Sequence, residues 1–256
     1  MSSQMECVLT PQESSTWRSN LYADFLKVPV CCLVTIAMLV VTLLDSWFDR
    51  RGSRLRALTV LWARTMLCIC RIEVRFKCLA QLDPSGQYVF VSNHGSWIDI
   101  PILIANLPFD LAFIAKQELF KMPLVGACLR RTGQIPVDRA NAQVLAGCMK
   151  KANDAITRQG RSLLLFAAGT RASTGVGNFK DGAAYLAIRS GLPVVPVGMM
   201  GTARVMSRGS IRVRGASLSL TVGWPVPTEN LRVADRGELT RQLQDQVTSL
   251  TRENSR

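Results

Sequence analysis

Apolar and polar positions change their pattern near residue 70, and that change divides the chain. Before it, Val28 to Leu44 is apolar apart from Thr35 and Thr42, and a second apolar stretch, Ala57 to Cys70, is interrupted by Arg64. As a helix at about 1.5 Å per residue the first stretch reaches roughly 26 Å, short of a ~30 Å hydrocarbon core, and the second is too short to span. After it, Ile72, Val74 and Phe76 alternate with Glu73 and Arg75, which predicts a strand with one wet face. Tyr88 to Val91, Leu111 to Ala115, Ile135 to Val137, Leu163 to Phe166 and Val194 to Val197 are short apolar runs. Bounded by turn residues and separated by helices, they read as buried strands.

Helical spacing of apolar residues runs from Asn141 to Gln159, and Pro101 is expected in the first turns of a helix, where a missing N–H costs little. Further strands are expected at Ser210 to Arg214 and Ser217 to Val222. Leu239, Leu243, Val247 and Leu250 mark a closing amphipathic helix. The predicted fold is α/β, a mixed sheet flanked by helices and preceded by a hydrophobic N-terminal helical pair. The expected organisation is a polar segment at 1–27, a membrane-associated helical region at 28–70, an α/β domain at 71–225, and a C-terminal amphipathic helix and tail at 226–256.

Charge adds a preference for anionic partners. The chain carries 31 Lys+Arg against 18 Asp+Glu, a formal net charge of +13. That balance suits nucleic acid, an anionic membrane surface or phosphorylated ligands. Nucleic acid is disfavoured: 48% of the residues are hydrophobic, and no stacking aromatics accompany the basic ones. The eight cysteines include no Cys-x-x-Cys, and one histidine cannot complete a His-rich zinc site. They are expected to be reduced, mostly buried thiols in a cytosol-facing protein. The first 27 residues, polar and mixed in charge, predict no secretory signal.

Between the apolar stretches stand Trp47, Phe48, Arg50, Arg51, Arg54 and Arg56, aromatics that suit a membrane interface and arginines that suit anionic headgroups. Two arrangements are open. The first stretch spans, or both form a helical pair sunk into one leaflet. Each places the main domain at the cytosolic face, on the inner membrane if the source is bacterial.

The single histidine stands in Ser92-Asn93-His94-Gly95-Ser96-Trp97-Ile98-Asp99. Its unperturbed pKa of about 6.5 suits proton transfer near neutrality, and a general base needs an orienting partner such as Asp99. Locally, the same residues also fit a surface-loop histidine and a helix cap, with Ser96 at N-cap and Asp99 at N3. Groups five residues apart lie about 140° apart around one helix. A working pair therefore requires His94 in the turn before a helix and Asp99 in its first turn.

Four segments follow one another in order: the His94-x4-Asp99 segment, Gly133-Gln134-Ile135-Pro136-Val137-Asp138-Arg139, Phe166-Ala167-Ala168-Gly169-Thr170-Arg171, and Leu192-Pro193-Val194-Val195-Pro196-Val197. With Phe179-Lys180-Asp181-Gly182-Ala183 between the last two, the set resembles the blocks of the PlsC-type 1-acylglycerol-3-phosphate acyltransferases over roughly residues 70 to 225. The resemblance implies a glycerolipid-acyltransferase-like α/β domain on a membrane-associated helical pair. It implies His94 as general base and Asp99 as its partner, with no bound cofactor. Acyl-CoA or acyl-carrier protein would be the co-substrate and a lysophospholipid the acceptor. Gly169, Thr170 and Arg171 would form the acceptor-binding element, with Arg171 on the phosphate through its planar fork. Arg139 would be a second anion site, and Pro196 would shape a pocket wall. Oxyanion donors are expected among backbone N–H groups near the helix start or around Gly169.

The third block departs from the family. Ala167 and Ala168 stand where the pattern reads Pro and Glu. The missing carboxylate leaves Arg171 without its usual neighbour, which fits reduced activity, a changed acceptor, or compensation by Asp181. The expected activity is acyl transfer to 1-acylglycerol-3-phosphate, giving phosphatidic acid. The alternatives are another lysolipid acceptor such as lyso-ornithine lipid, or a catalytically weak lipid-binding homologue.

Overall fold

Residues 21–45, 53–138, 142–171, 175–206 and 212–252 are described in a computed structural model. The helical pair is α1 (Leu21–Asp45) and α2 (Ser53–Cys70). The helix α1 extends well before the apolar run, and its stretch Phe25–Asp45 is 21 residues, long and apolar enough to cross a membrane. Cys31 Sγ lies 3.7 Å from Cys70 Sγ, and the Trp62 indole N–H donates to Thr35 Oγ1 at 3.1 Å, so the two helices run antiparallel. Lys27, buried, donates to the Val213 carbonyl at 3.2 Å, and α1 also packs against α4 (Pro123–Arg131). The opposite face leaves Leu26, Leu33, Ile36, Val40 and Leu44 exposed. Trp47, Phe48, Arg50 and Arg51 lie outside the described residues.

Seven strands follow: β1 (Ile72–Cys78), β2 (Val89–Ser92), β3 (Leu111–Lys116), β4 (Ile135–Val137), β5 (Ser162–Phe166), β6 (Val194–Met200) and β7 (Ala216–Val222). They form one sheet in the order β1-β7-β6-β2-β5-β3-β4. All neighbours are parallel except β6 and β7, so β1 and β7 run against the other five. The interior strands are apolar without a break because helices cover both faces, as the short runs required. Phe90, Leu164, Val195, Val197 and Leu220 pack with Leu67 of α2 and with Ile98, Ile102 and Leu103 beside and within α3 (Asp99–Asn106). Val89, Val91, Leu163 and Val194 face α5 (Ala142–Thr157), α6 (Gly182–Ser190) and α8 (Arg236–Arg252). Burying one such side chain fully contributes about 1.5–3 kcal/mol.

Three expectations are corrected. Arg212 to Arg214 is not a strand: Arg214 N–H bonds to the Val205 carbonyl, and the edge is taken by β1 pairing with β7. Ser210 and Ile211 lie outside the described residues. Phe76 is 44% exposed although its alternation placed it inward, because β1 is the sheet edge and its C-terminal half is uncovered. The thiols are less buried than expected: Cys32, Cys68 and Cys78 are exposed, while Cys70, Cys128 and Cys148 are buried.

Candidate active site

The chain leaves β2 at Ser92, a central strand between β5 and β6. The crossover from β2 goes one way to β3 and the later one from β5 goes the other way, past β2, to β6, and ligands of open α/β sheets bind outside the carboxyl ends of strands at such a switch. His94 stands there. Asn93 fixes the turn by using both ends of its buried amide on Met199: its Nδ2 donates to the carbonyl at 2.8 Å and its Oδ1 accepts from the N–H at 2.9 Å. Gly95 is required by close approach, since a Cβ there would lie 2.8 Å from Thr202 Oγ1 at α7 (Thr202–Val205).

His94 Nδ1 and Asp99 Oδ2 are 2.7 Å apart, and the Asp99 side chain is fully buried while His94 keeps 16% exposure. The same oxygen accepts the Gly95 N–H at 2.7 Å and the Ser96 N–H at 2.9 Å. His94 Nδ1 and two backbone N–H groups thus surround one buried carboxylate oxygen, which would be costly to bury without polar partners. Asp99 opens α3, with Ile98 at the N-cap and no side-chain cap bond. The capping box is therefore half formed: Asp99 takes the Ser96 N–H, but Ser96 Oγ donates to the Met206 carbonyl instead. Nδ1 faces the Asp99 carboxylate, so a proton placed on Nδ1 would leave Nε2 as the free basic nitrogen, the geometry a general base requires.

The His94 ring lies on Phe166, centroids 4.0 Å apart and planes 15° apart. The register produces this contact: Ser92 pairs with Phe166 across β2 and β5, and the Ala167 N–H continues the ladder to the Ser92 carbonyl at 3.1 Å. The chain then turns at Gly169, whose N–H closes on the Phe166 carbonyl at 2.9 Å and whose φ of +73° suits glycine. Thr170 follows on the surface, then Arg171, half-buried, with its Cζ 5.0 Å from the centre of the Trp97 ring. So the structure brings His94, Asp99, Gly169, Thr170 and Arg171 to one end of the sheet.

Other expected residues fall elsewhere. Pro196 is buried in β6 opposite Val91, and strand alternation puts it with Val194 on the α8 face, away from Phe166. It supports Gly223, whose N–H reaches its carbonyl at 2.8 Å, and it is no pocket wall for His94. Arg139 lies outside the described residues. The Asp181 carboxylate faces Arg236 at 3.7 Å, at the start of α6. Three of the expected oxyanion donors are committed: the Gly95 and Ser96 N–H groups to Asp99, and the Gly169 N–H to Phe166. Burial pushes the Cys128 thiol up to about 11, so it supplies no thiolate near neutrality.

Sequence reasoning missed Asn93, Phe166 as the platform under the imidazole, and Trp97. Only the adjacency of Asn93 and Trp97 to His94 hinted at the first and third.

Residues 72–200, half of the chain, match the family model described as Acyltransferase. The chain belongs to the Acyltransferase family. It is 37% identical over 123 residues to a chloroplastic 1-acyl-sn-glycerol-3-phosphate acyltransferase of Brassica napus, a match covering 48% of this chain and 35% of that protein. To a 1-acyl-sn-glycerol-3-phosphate acyltransferase of Helicobacter pylori it is 28% identical over 193 residues, 74% of this chain and 79% of that one. The chain spans between about a third and just over half of the length of several other curated relatives that it matches. The crystal structure of the Thermotoga maritima 1-acyl-sn-glycerophosphate acyltransferase shares the fold, with a TM-score of 0.77 and 22% identity over 92% of this chain and 96% of that one. Within this Acyltransferase domain the His94–Asp99 pair sits in the first third of the matched region, and the Gly169 turn in the last third.

Proposed function

We propose that this Acyltransferase-family protein moves an acyl group from acyl-CoA or acyl-carrier protein to the hydroxyl of 1-acylglycerol-3-phosphate, giving phosphatidic acid. The observation that carries the reading is the 2.7 Å contact of His94 with a fully buried Asp99 that two backbone N–H groups also hold. The acceptor hydroxyl gives its proton to His94 Nε2 as its oxygen attacks the thioester carbonyl. The carbon–sulfur bond then breaks, the thiolate leaves, and the imidazolium returns the proton to the sulfur. Asp99 stabilises the imidazolium between the two steps. The intact pair supports catalysis over a merely lipid-binding role.

Arg171 supports a phosphate-bearing acceptor, since its guanidinium has ring contact but no ion pair among the described residues. Arg171→Ala should raise KM for lysophosphatidate about 10- to 100-fold, the worth of a charge-assisted hydrogen bond, and leave monoacylglycerol nearly unchanged. Steady-state kinetics with both acceptors checks this. Equal effects on the two would favour an acceptor such as lyso-ornithine lipid, which the Ala168 departure also suits.

For the membrane, we propose that α1 lies in one leaflet with α2 beneath it and the domain on the cytosolic side. Lys27, Cys31 and Thr35 tie α1 along the domain and α2, and its apolar face is turned outward. Deleting residues 1–70 would be a poor test, because Leu67 and Cys70 belong to the core. Replacing exposed Leu33 and Ile36 by glutamate should instead lower partition into anionic vesicles about 10-fold or more, read by flotation at low and high salt, with the melting temperature kept.

A further inference from the structure

The third block lost the acid that would neighbour Arg171, and an aromatic ring stands beside the guanidinium instead. Trp97, half exposed, belongs to the turn that joins His94 to α3, and its ring carries the Arg171 Cζ at 5.0 Å. The two residues are 74 positions apart and meet only because β2 and β5 are paired at Ser92 and Phe166. A carboxylate partner and a ring partner differ in what they leave free. A carboxylate takes the N–H edge of the guanidinium in paired hydrogen bonds and cancels its charge. A ring takes the face, leaves the N–H fork open in its plane, and cancels no charge. The flanking residues are fixed, since the Ser96 N–H is on Asp99 and the Asp99 N–H on the Ser96 carbonyl at 3.3 Å. Whatever Trp97 positions is therefore positioned relative to the catalytic pair.

We propose that Trp97 is the positioning residue for Arg171, an aromatic shelf that replaces the absent acid at Ala168 and presents an unneutralised fork to an acceptor phosphate. This rests on the reading of the acceptor given above. It makes Trp97 a determinant of headgroup preference and not a catalytic residue, because its ring acts through the Arg171 guanidinium. It also explains how the block works without its carboxylate: the anion that completes the arginine is supplied by the substrate.

The test compares the full chain with Trp97→Leu and Trp97→Phe, using a short-chain lysophosphatidate and the matching monoacylglycerol in the same detergent micelles. Trp97→Leu should raise KM for lysophosphatidate about 3- to 30-fold, the range of a cation–π contact, with kcat within about twofold. Its kinetics with monoacylglycerol should not move, and Trp97→Phe should recover most of the loss. A fall in kcat shared by both acceptors would overturn the proposal and make Trp97 a support of the His94 turn. A Trp97→Leu loss that tracked weaker micelle binding would also overturn it, making the ring an interfacial anchor. Equal use of both acceptors by the unaltered chain would overturn the reading of the acceptor and this proposal with it.

Discussion

Replacing His94 by alanine is expected to lower acyl transfer about 10²- to 10⁴-fold, the usual worth of a positioned general base. The chain has no second histidine to take over. The substitution also removes the ring from Phe166, but Asn93 still holds the turn on Met199 and Asp99 still takes two backbone N–H groups. Fold and melting temperature should therefore change little. Thiol release from an acyl thioester, measured beside a thermal melt, separates the two effects. Turnover within about threefold of the unaltered chain would remove His94 from the mechanism.

Asp99→Asn is expected to cost less than the loss of the histidine, and the geometry says why. In an oriented pair of this kind an amide often reverses the imidazole tautomer. Here the Gly95 and Ser96 N–H groups both point at the oxygen that faces Nδ1, so the asparagine must keep its carbonyl oxygen there. The tautomer survives and the charge does not. The lost charge assistance predicts a fall of about 10- to 100-fold in kcat. The amide nitrogen would meanwhile occupy the place of Asp99 Oδ1, which is buried with no hydrogen-bond partner among the described residues, and should destabilise the fold by about 1–3 kcal/mol. Asp99→Leu removes the acceptor altogether and should approach the His94→Ala level. A larger loss in Asp99→Asn than in Asp99→Leu would contradict the placement of the oxygen.

What could be read from the chain alone were features of local period. The runs at 111–115, 135–137 and 163–166 became β3, β4 and β5, because a parallel strand buried on both faces has to be apolar throughout. His94 and Asp99 were legible because their pairing is decided within one turn before one helix. Contacts set by strand register were not legible. Phe166 lies under His94 and Trp97 beside Arg171 only once β2 and β5 are aligned. Pro196 was misplaced for the same reason, since strand alternation decides which face it serves. The stretch before β7 failed differently: Arg212 and Arg214 flank a buried Val213 as a strand would, yet Val213 holds α1 through Lys27 while the edge pairing goes to β1.

The most direct measurement supplies the purified chain with labelled acyl-CoA and 1-acylglycerol-3-phosphate in anionic vesicles, and follows free thiol together with the labelled lipid product. Labelled phosphatidic acid is expected to form in step with thiol, and both should be lost together in His94→Ala. Thiol released without ester on the acceptor, or phosphatidic acid still formed by the His94→Ala chain at the original rate, would contradict this mechanism.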